Sequence, residues 1–351
     1  MKLLLTTAAG TADITELVGT VTWAGAKGQC SRTLDFELLY AQNDPDIPKT
    51  DCPLGANVQL VNGGEVLFDG FVGTRTRNTD RSTIAVGCFD RGLYLKRNHR
   101  AYKFVGASPE QIVRQLAGDF GLAVGALPKT GAVTITRNFL QPGISLYDIL
   151  ATAYTMAWKQ TGIPYHIGFE GEKLCVRAIV KGEKSLILQG GSNLIAASMT
   201  DSVEKMVNTV AILDEAGNQV RLLQDPEAVG LYGMFRSQVQ QGGGDNKLQE
   251  AGRMLEENGV SQRVTVDALG NPGSITGGTV VVREPYTGLY GLFAIEGDTH
   301  QWKRGLYYNK LTLAFRAVMD EKEAGELPNA GGTVTADWNE TAKAWRWVWE
   351  G

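Results

Sequence analysis

The stretch that decides the fold is QRVTVDALGNPGSITGGTVVVREPYTGLYGLFAIEGDTHQWKRGLYYNKLTLAF, residues 262–315. It alternates short runs of β-branched and aromatic residues with turns rich in Gly, Pro and Asn. Such runs favour extended strands, and the turn residues end them. The predicted strands lie at 263–266, 279–282, 292–295 and 310–315, and His300 is placed in a polar turn beside Trp302. Strands at this spacing predict a small antiparallel sandwich or barrel.

A weaker copy of this arrangement occurs near the N-terminus. Residues 1 to about 97 predict β structure, with strands at 34–40, 57–61, 66–72 and 82–89. Both copies have a strand led by glycine, a turn, a strand opened by Leu-Phe, a polar stretch and a last alternating strand. The glycine-led strands begin at Gly55 and Gly277, and the Leu-Phe pairs lie at 67–68 and 292–293. The order of elements indicates an internal repeat, although small barrels in general share this order.

The segment between the copies predicts a compact α+β module. One helix begins at Ser108, with Pro109 at its first position and Gln111 completing a capping box. A second helix begins at Ser145 with Asp148 in the same role, and a hairpin follows over 165–180. One further helix is predicted over 246–258, just before the opening stretch.

The predicted fold class is therefore mainly β with an α+β insertion, in which two related small β-barrels flank an α+β module. A chain of 351 residues is longer than a single core usually spans, so several domains are expected. The predicted boundaries are a first barrel at 1–100, the α+β module at 101–190, a second barrel with one helix at 191–318, and a linker with a Trp-rich docking segment at 319–351.

The composition is that of a folded soluble protein, with 43% hydrophobic and 21% charged residues. A net charge of −4 gives no general attraction to nucleic acid or to an anionic membrane. The apolar run at residues 3–5 is too short for a signal peptide, and no segment predicts a membrane span. The cysteines are widely spaced and are expected to be reduced, buried or neutral thiols of a protein made in a cytoplasm: Cys30, Cys52, Cys88 and Cys175.

No arrangement of residues predicts catalysis, a metal site or a cofactor site. The nucleophile-elbow, zinc-protease, phosphate-loop and dinucleotide motifs are all absent from the sequence. The histidines, His99, His166 and His300, lack ligand spacing, and His166 is interpreted as a structural residue of a strand. Asp267 and Asp298 are interpreted as solvated acidic residues rather than a catalytic pair.

Two other stretches are candidates for binding. Residues 91–103 interleave aromatic and basic side chains, which favours phosphate or nucleic-acid contact. For an acidic chain we prefer a solvated connector between the first barrel and the α+β module, or a face that meets an acidic partner. The tail holds four tryptophans, which are candidates for docking either onto this chain or into a partner: Trp338, Trp345, Trp347 and Trp349. We prefer a helix for this tail, with a strand as the alternative.

Several segments in order resemble the baseplate hub proteins of contractile phage tails and tail-like bacteriocins, a family similar to late-control protein D and to the hub part of type VI secretion spikes. The resemblance covers about residues 1–318 and rests on the spacing of these segments: DITELV 13–18, VTWAG 21–25, SRTLDF 31–36, LFDGFVG 67–73, FDRGLYL 89–95, MVNTV 206–210, LYG 231–233 and GLYGLFAI 288–295.

The resemblance implies a structural hub that forms a homotrimer and adapts a sixfold tail tube to a threefold spike. It implies as partners the tube or tube-initiator protein, the central spike, other baseplate proteins and a tape-measure protein in the lumen, with no cofactor, membrane or specific nucleic acid. The expected location is the baseplate of a virion or tail particle assembled in the bacterial cytoplasm. The alternative function is a tail-associated peptidoglycan hydrolase or glycan-binding module.

Overall fold

The computed structural model describes residues 1–41, 44–77, 82–179, 185–240, 247–315, 319–328, 333–339 and 344–350, with the backbone alone for the last two ranges and for Gln249. The fold is mostly β, as the sequence predicts. Two β modules share one sheet, which has thirteen strands within the described residues.

The first β module comprises the N-terminal strands. These are β1 (Lys2–Thr7), β2 (Gly10–Asp13), β3 (Val18–Ala26), β4 (Thr33–Leu39), β5 (Asn57–Asn62), β6 (Glu65–Arg77) and β7 (Thr83–Asp90), with a short 3₁₀ turn at Thr15–Leu17. In β4 and β7 every second residue is buried, and the residues between are half-buried or exposed, because one face covers the core and the other does not. Leu34, Leu38 and Ile84 are among the fully buried side chains of this core.

The α+β module follows the short helix α1 (Gly92–Arg97). It comprises β8 (Tyr102–Ala107), α2 (Pro109–Asp119), β9 (Ala123–Val124), β10 (Ile135–Phe139), α3 (Leu146–Thr161), β11 (Tyr165–Glu170) and β12 (Lys173–Ala178). Both predicted capping boxes are present, with Ser108 and Ser145 accepting from the third helical N–H. The helix α3 ends at Gly162, whose φ of 71° is the left-handed conformation that glycine adopts without strain.

The second β module comprises the strands β13 (Leu186–Gln189), β14 (Leu194–Ser202), β18 (Ser261–Leu269), β19 (Thr279–Glu284), β20 (Leu289–Lys303) and β21 (Leu306–Ala314). Its core is apolar and rich in valine, as the opening stretch predicts. The polar turn predicted around His300 is wrong, because β20 continues through it to Lys303. Alternate residues of this half-strand are polar yet buried, which removes the usual hydropathy signal of a strand.

A small α/β insertion interrupts the second β module between β14 and β18. It comprises β15 (Thr209–Leu213), β16 (Gln219–Gln224), α4 (Pro226–Tyr232), β17 (Arg236–Gln240) and α5 (Lys247–Glu257), around a core of its own. The prediction of a single helix in this part of the chain is wrong, because Asp225 caps a second helix with Pro226 at its first position. Of the predicted helix 246–258, residues Lys247–Glu257 form α5 and residue 246 lies outside the described residues.

The two β modules have the same strand order. In the first module the strands follow one another across the sheet as β1-β5-β6-β7-β4-β3, and in the second as β13-β19-β20-β21-β18-β14. Strands at the same place in the two lists also follow one another in the same order along the chain, so each strand of the first module has a counterpart in the second. The single difference in direction is that β1 is antiparallel to β5 whereas β13 is parallel to β19. The predicted repeat is therefore present as a duplicated topology.

Hydrogen bonds align the two modules residue by residue. Gly55 N–H donates to Val72 O over 2.8 Å, and Gly277 N–H donates to Ile295 O over 3.1 Å. The glycines have φ of +82° and +81°, and a bulge follows each acceptor, at Gly73 and at Glu296. Gly55 thus corresponds to Gly277, as the sequence indicates. The two Leu-Phe pairs do not correspond, because the register places the second pair two residues further along its strand.

Residues 319–328, predicted as part of a linker, pack against the α+β module. Met319 lies in that module's core, and Asp320 accepts from the backbone N–H of Gly28 at 2.5 Å and from the hydroxyl of Tyr147. Backbone N–H groups of Lys322 and Ala324 then donate to threonine hydroxyls of α3, each over 3.1 Å. This segment fastens the end of the second β module to the α+β module.

None of the helices in the described part of the chain combines the length and the apolar character that crossing a bilayer requires.

Candidate functional site at the module seam

The two β modules meet strand to strand. The second half of β20 leaves its own hairpin partner β19 and pairs antiparallel with β3 of the first module, from Gly297 opposite Ala26 to Lys303 opposite Thr20. The backbone N–H of Lys27 extends the ladder by donating to Glu296 O over 2.8 Å. We call this junction the seam. It makes one continuous sheet from two cores.

A buried ion pair crosses the seam. Both terminal nitrogens of Arg32, from the first module, contact the carboxylate of Asp298 on β20, with Nη1 at 3.0 Å from Oδ1. Thr276 adds a backbone N–H at 2.6 Å from the same Oδ1. Gly25, directly opposite Asp298, makes room for this contact, since a Cβ there would lie 2.4 Å from Arg32 Nη1.

The environment holds Asp298 in its charged form. Burial alone would raise the pKa of this carboxyl group, but the charge of Arg32 and the hydrogen bonds from His300 and Arg32 lower its pKa well below the usual range. The bidentate contact with guanidinium is the geometry that stabilises a carboxylate best. The interpretation of Asp298 as a solvated turn residue is therefore wrong, and Asp267 lies elsewhere, opposite Lys310 in the β18–β21 pair.

An aromatic cluster continues the seam beside the ion pair. Trp302 of β20 belongs to the core of the first module and stacks on Tyr307 at 4.2 Å between ring centroids, while His300 lies 4.6 Å from Trp23. His300 Nε2 lies 3.1 Å from Asp298 Oδ2 and 3.2 Å from Ser274 O, both acceptors. Nε2 therefore carries a proton, and Nδ1 forms a hydrogen bond with the Tyr307 hydroxyl at 2.7 Å.

The α+β module covers the seam through the β11–β12 hairpin, leaving a cleft of about 390 Å³ lined by Arg32, His166 and Arg177, among others. The His166 ring lies against Gly277, where an added Cβ would lie 2.5 Å from Cγ. Burial, followed by the charges of Arg177 and Arg32, lowers the pKa of His166 to about 4. His166 is thus a neutral packing residue, as its place in a strand predicts.

Two strand edges that correspond to the seam have no strand partner within the described residues. The counterpart of β3 is β14, which is the last strand of the sheet path and pairs with β18 alone. The counterpart of the second half of β20 is Thr74–Arg77 of β6, which pairs with β7 on one side and extends beyond the β5 pairing on the other. Unpaired edges of this kind are ready to add a strand.

The other residues that the sequence singled out have structural contacts. Arg91 forms an ion pair with Glu172 of the α+β hairpin, and Arg100 forms one with Asp119, so residues 91–103 serve as a connector in this fold. His99 pairs with Ser145 in an isolated antiparallel bridge. The part of the chain that the structure describes contains no cluster of three His, Cys, Asp or Glu that could hold a metal ion.

The Trp-rich tail is a hairpin of β22 (Thr333–Asn339) and β23 (Ala344–Glu350), so the preferred helix is wrong and the alternative strand is correct. Trp338 pairs with Trp345, whereas Trp347 and Trp349 follow at alternate positions of β23. The alternation W-R-W-V-W has the period of two that strands show, and this signal predicts the strand correctly. The side chains of this hairpin lie outside the described residues.

The residues of the seam were missed as a site because they are far apart in sequence. Arg32 lies in a loop of the first module, and Asp298 is 266 positions away. One signal was present: the residues Asp298, His300 and Trp302 alternate with a period of two, which predicts that they share one face of a strand.

Comparisons with known proteins agree with this architecture. The YqbQ-like family model matches residues 21–314. The chain is 26% identical over 314 residues to the phage-like element PBSX protein XkdQ of Bacillus subtilis (strain 168), covering 87% of this chain and 95% of that protein.

Solved structures show a similar fold. The prophage MuSo2 43 kDa tail protein of Shewanella oneidensis superposes with a TM-score of 0.66 at 16% identity, over 92% of this chain and all of that one (100%). The Escherichia coli c3393 protein superposes with a TM-score of 0.51 at 13% identity, over 89% of this chain and 76% of that one. It is described as a component of the type VI secretion system with structural similarity to the T4 tail proteins gp27 and gp5. The resemblance to tail proteins predicted from the sequence is confirmed: the chain belongs to the YqbQ-like family, and its fold is that of phage tail proteins.

Proposed function

We propose that this protein is the structural hub of a tail baseplate, a homotrimer that joins a sixfold tail tube to a threefold spike. The observation that carries the proposal is the pair of β modules with one strand order, joined edge to edge within a single chain. Three chains with two modules each supply six similar modules. Such a ring has the pseudo-sixfold symmetry of a tube on one side and the true threefold symmetry of a spike on the other.

The seam favours a rigid adaptor over two loosely linked domains. Seven residue pairs of ladder, from Gly297–Ala26 to Lys303–Thr20, and a buried ion pair fix the two modules in one orientation. A ring that must accept a tube needs this rigidity, because every module has to present its surface at the correct angle. The fold shared with c3393, which is described as similar to the T4 tail proteins gp27 and gp5, supports a structural place in a tail.

The proposed partners are other copies of this chain, the tube or tube-initiator protein, the central spike and neighbouring baseplate proteins, with a tape-measure protein in the lumen. The proposed setting is the baseplate of a contractile tail or a tail-like bacteriocin, assembled in the bacterial cytoplasm. In this proposal the tail hairpin, with Trp338, Trp345, Trp347 and Trp349, docks on a neighbouring baseplate protein.

The test is the mass of the full chain in solution and in the particle. Light scattering of the purified chain, together with a density map of particles from cells that produce the other tail proteins, is expected to show three copies in a ring below the tube. A map that places this chain outside the axis of the tail, or with a copy number other than three, contradicts the proposal.

A structural hub needs no catalytic group of its own. Purified protein added to cell walls is expected to leave their turbidity unchanged. Clearing that is abolished by substitution of a single carboxylate would instead establish the hydrolase alternative.

A further inference from the structure

We propose that copies of this chain join through a second seam, in which β14 of one copy pairs antiparallel with Thr74–Arg77 of β6 in the next. This inference rests on the proposed homotrimer and adds the strands, the register and the charges of its interface. The occupant of both edges is a second copy of this chain, because each edge corresponds to one half of a pairing that the fold already makes within the chain.

The duplicated topology gives the register of the second seam. Val72 and Ile295 occupy the same place, since each precedes a bulge and pairs with Cys88 or Leu313 respectively. From this anchor, Asp298 corresponds to Arg75. On the other edge, Trp23 of β3 lies opposite Leu34 of β4, and Met199 of β14 lies opposite Val264 of β18. Because β4 and β18 are counterparts, Trp23 corresponds to Met199.

Transferring the pairing of β20 with β3 to these counterparts yields four described residue pairs between copies. They are Thr74 with Ser202, Arg75 with Asp201, Thr76 with Thr200, and Arg77 with Met199. The strand direction is antiparallel, as in the seam within the chain.

The charges at the second seam are complementary, with the signs reversed. In the seam within the chain, the aspartate is on β20 and the arginine reaches it over Gly25 of the opposite edge. In the second seam the arginine, Arg75, is on β6, and Asp201 replaces Gly25 as the residue directly opposite. The ion pair thus forms straight across the ladder, where opposite charges stabilise paired strands.

The surroundings of both residues fit this contact. Arg75 is one-quarter exposed, and its Nη1 donates to Asp51 Oδ1 at 2.5 Å and to Cys52 O at 3.4 Å within its own chain. Asp201 is exposed and accepts from Gln262, the counterpart of Arg32, at 3.0 Å. Thr76 and Thr200, on the opposite face, are also exposed, so both side chains are accessible to a second copy.

Disulfide trapping tests the register directly. The full chain with Thr76→Cys and Thr200→Cys is produced together with the other tail proteins, oxidised in the assembled particle and separated on a denaturing gel without reductant. Opposed residues of an antiparallel pair have Cα atoms about 4.5–5.5 Å apart, within disulfide reach. The expected product is a covalent trimer. The control, Thr76→Cys with Met199→Cys, leaves the proposed Arg75–Asp201 pair intact, places the thiols on opposite faces and is expected to stay largely monomeric.

The outcomes separate this inference from the proposed function. A trimer in the density map without disulfide trapping, or equal trapping in the control variant, overturns the second seam and leaves the hub standing. Trapped chains that form no closed trimer retain the strand pairing and overturn the threefold ring. If neither cysteine variant enters the particle, the purified protein is oxidised instead, at a concentration where light scattering shows self-association. Absence of the covalent product in that experiment counts against the second seam.

Discussion

At the scale of the residue, Arg32 is the side chain on which the seam depends most. Replacing Arg32 with Ala leaves the Asp298 carboxylate buried without its cation, and removal of one partner of such a pair typically costs about 3–5 kcal/mol. We expect a loss of this size in the free energy of unfolding, measured by urea titration. Arg253, whose side chain is 60% exposed in its pair with Glu257, is the matched control, with an expected change below about 0.5 kcal/mol for Arg253→Ala.

A second substitution distinguishes buried charge from lost packing, since Arg32 also lies 4.1 Å over the Trp23 ring. Adding Asp298→Asn to the Arg32→Ala protein removes the uncompensated charge and is expected to recover part of the stability. If the double variant is less stable than Arg32→Ala alone, the cost came from packing, and the account of the ion pair is wrong.

His166 gives the protein a predictable dependence on pH. Its pKa in the folded state, about 4, lies below the unfolded value of 6.5, so the unfolded chain binds the proton first as pH falls. The His166 contribution is therefore present above pH 6.5, declines between pH 6.5 and 4, and changes no further below that. We expect a loss of about 2–3 kcal/mol across this window, at 1.36 kcal/mol per unit.

The measurement compares the free energy of unfolding of the natural protein and of His166→Gln at several pH values. Carboxyl groups titrate in both proteins, so the difference isolates the imidazole and the charged groups that face it, Arg177, Arg32, Asp320 and Asp298. A difference that stays constant from pH 7 to pH 4 contradicts a buried neutral imidazole.

At the scale of the element, the two glycine-led strands allow a direct comparison of the same substitution in two surroundings. Gly55 and Gly277 share the same positive φ, so alanine at either position costs about 1–2 kcal/mol of backbone strain. An added Cβ meets open space at Gly55 but lies 2.5 Å from His166 Cγ at Gly277. We expect Gly277→Ala to cost about 1–3 kcal/mol more than Gly55→Ala, because the hairpin above must shift.

Thermal unfolding of both variants measures the difference. In a His166→Gly background the excess for Gly277→Ala should disappear, since the side-chain carbons that the new Cβ would meet, His166 Cγ and Cβ, are both gone. Equal costs in the natural background would mean that the β11–β12 hairpin does not pack on Gly277 as described.

The tail hairpin tests whether an element serves the fold or a partner. Deletion of residues 334–351 is expected to leave the melting temperature within a few degrees of the full chain and to abolish incorporation into tail particles. Large aromatic side chains that dock on their own chain would instead contribute several kcal/mol to its stability. A large fall in melting temperature therefore rules out docking on a partner. Arg346→Ala, between two tryptophans of β23, is the control and should assemble normally.

Elements with local signals could be predicted from sequence, and elements defined by distant contacts could not. The capping boxes at Ser108 and Ser145 placed α2 and α3 to within a residue, because the residues that stabilise a helix start are adjacent in the chain. The sequence predicts a turn for the second half of β20, because Asp298 and His300 are polar. Both are buried in the fold, where Arg32, Ser274 and Thr276 supply their hydrogen-bond partners. The tail tryptophans fit two periodicities, and the sequence alone favoured the wrong one.

At the scale of the whole molecule, duplication explains features that no single residue does. The order of elements predicted the repeat, but the Leu-Phe pairs suggested an alignment two residues from the one that the bulges at Gly73 and Glu296 give. Identity misleads here because core positions accept several apolar residues, whereas the strand order is preserved. The seam itself was out of reach of the sequence, since its two strands lie at opposite ends of the chain.

The reversed charges of the second seam yield a prediction for the whole assembly. Arg75→Asp or Asp201→Arg places like charges opposite each other between copies, and each variant is expected to raise the dissociation constant of the trimer at least about tenfold. The double variant restores opposite charges and should return to within about threefold of the natural protein. Dissociation is followed by light scattering in a dilution series.

Controls separate the second seam from effects within one chain. Asp51→Asn removes the contact that Arg75 makes in its own chain, and Arg221→Asp makes the same charge change on β16 of the insertion; both should assemble normally. If the double variant with Arg75→Asp and Asp201→Arg raises the dissociation constant of the trimer by the combined effect of the two single variants, Arg75 and Asp201 are not partners. The copies must then meet through other surfaces, because the transferred register admits no other cross-strand pairing for these two residues.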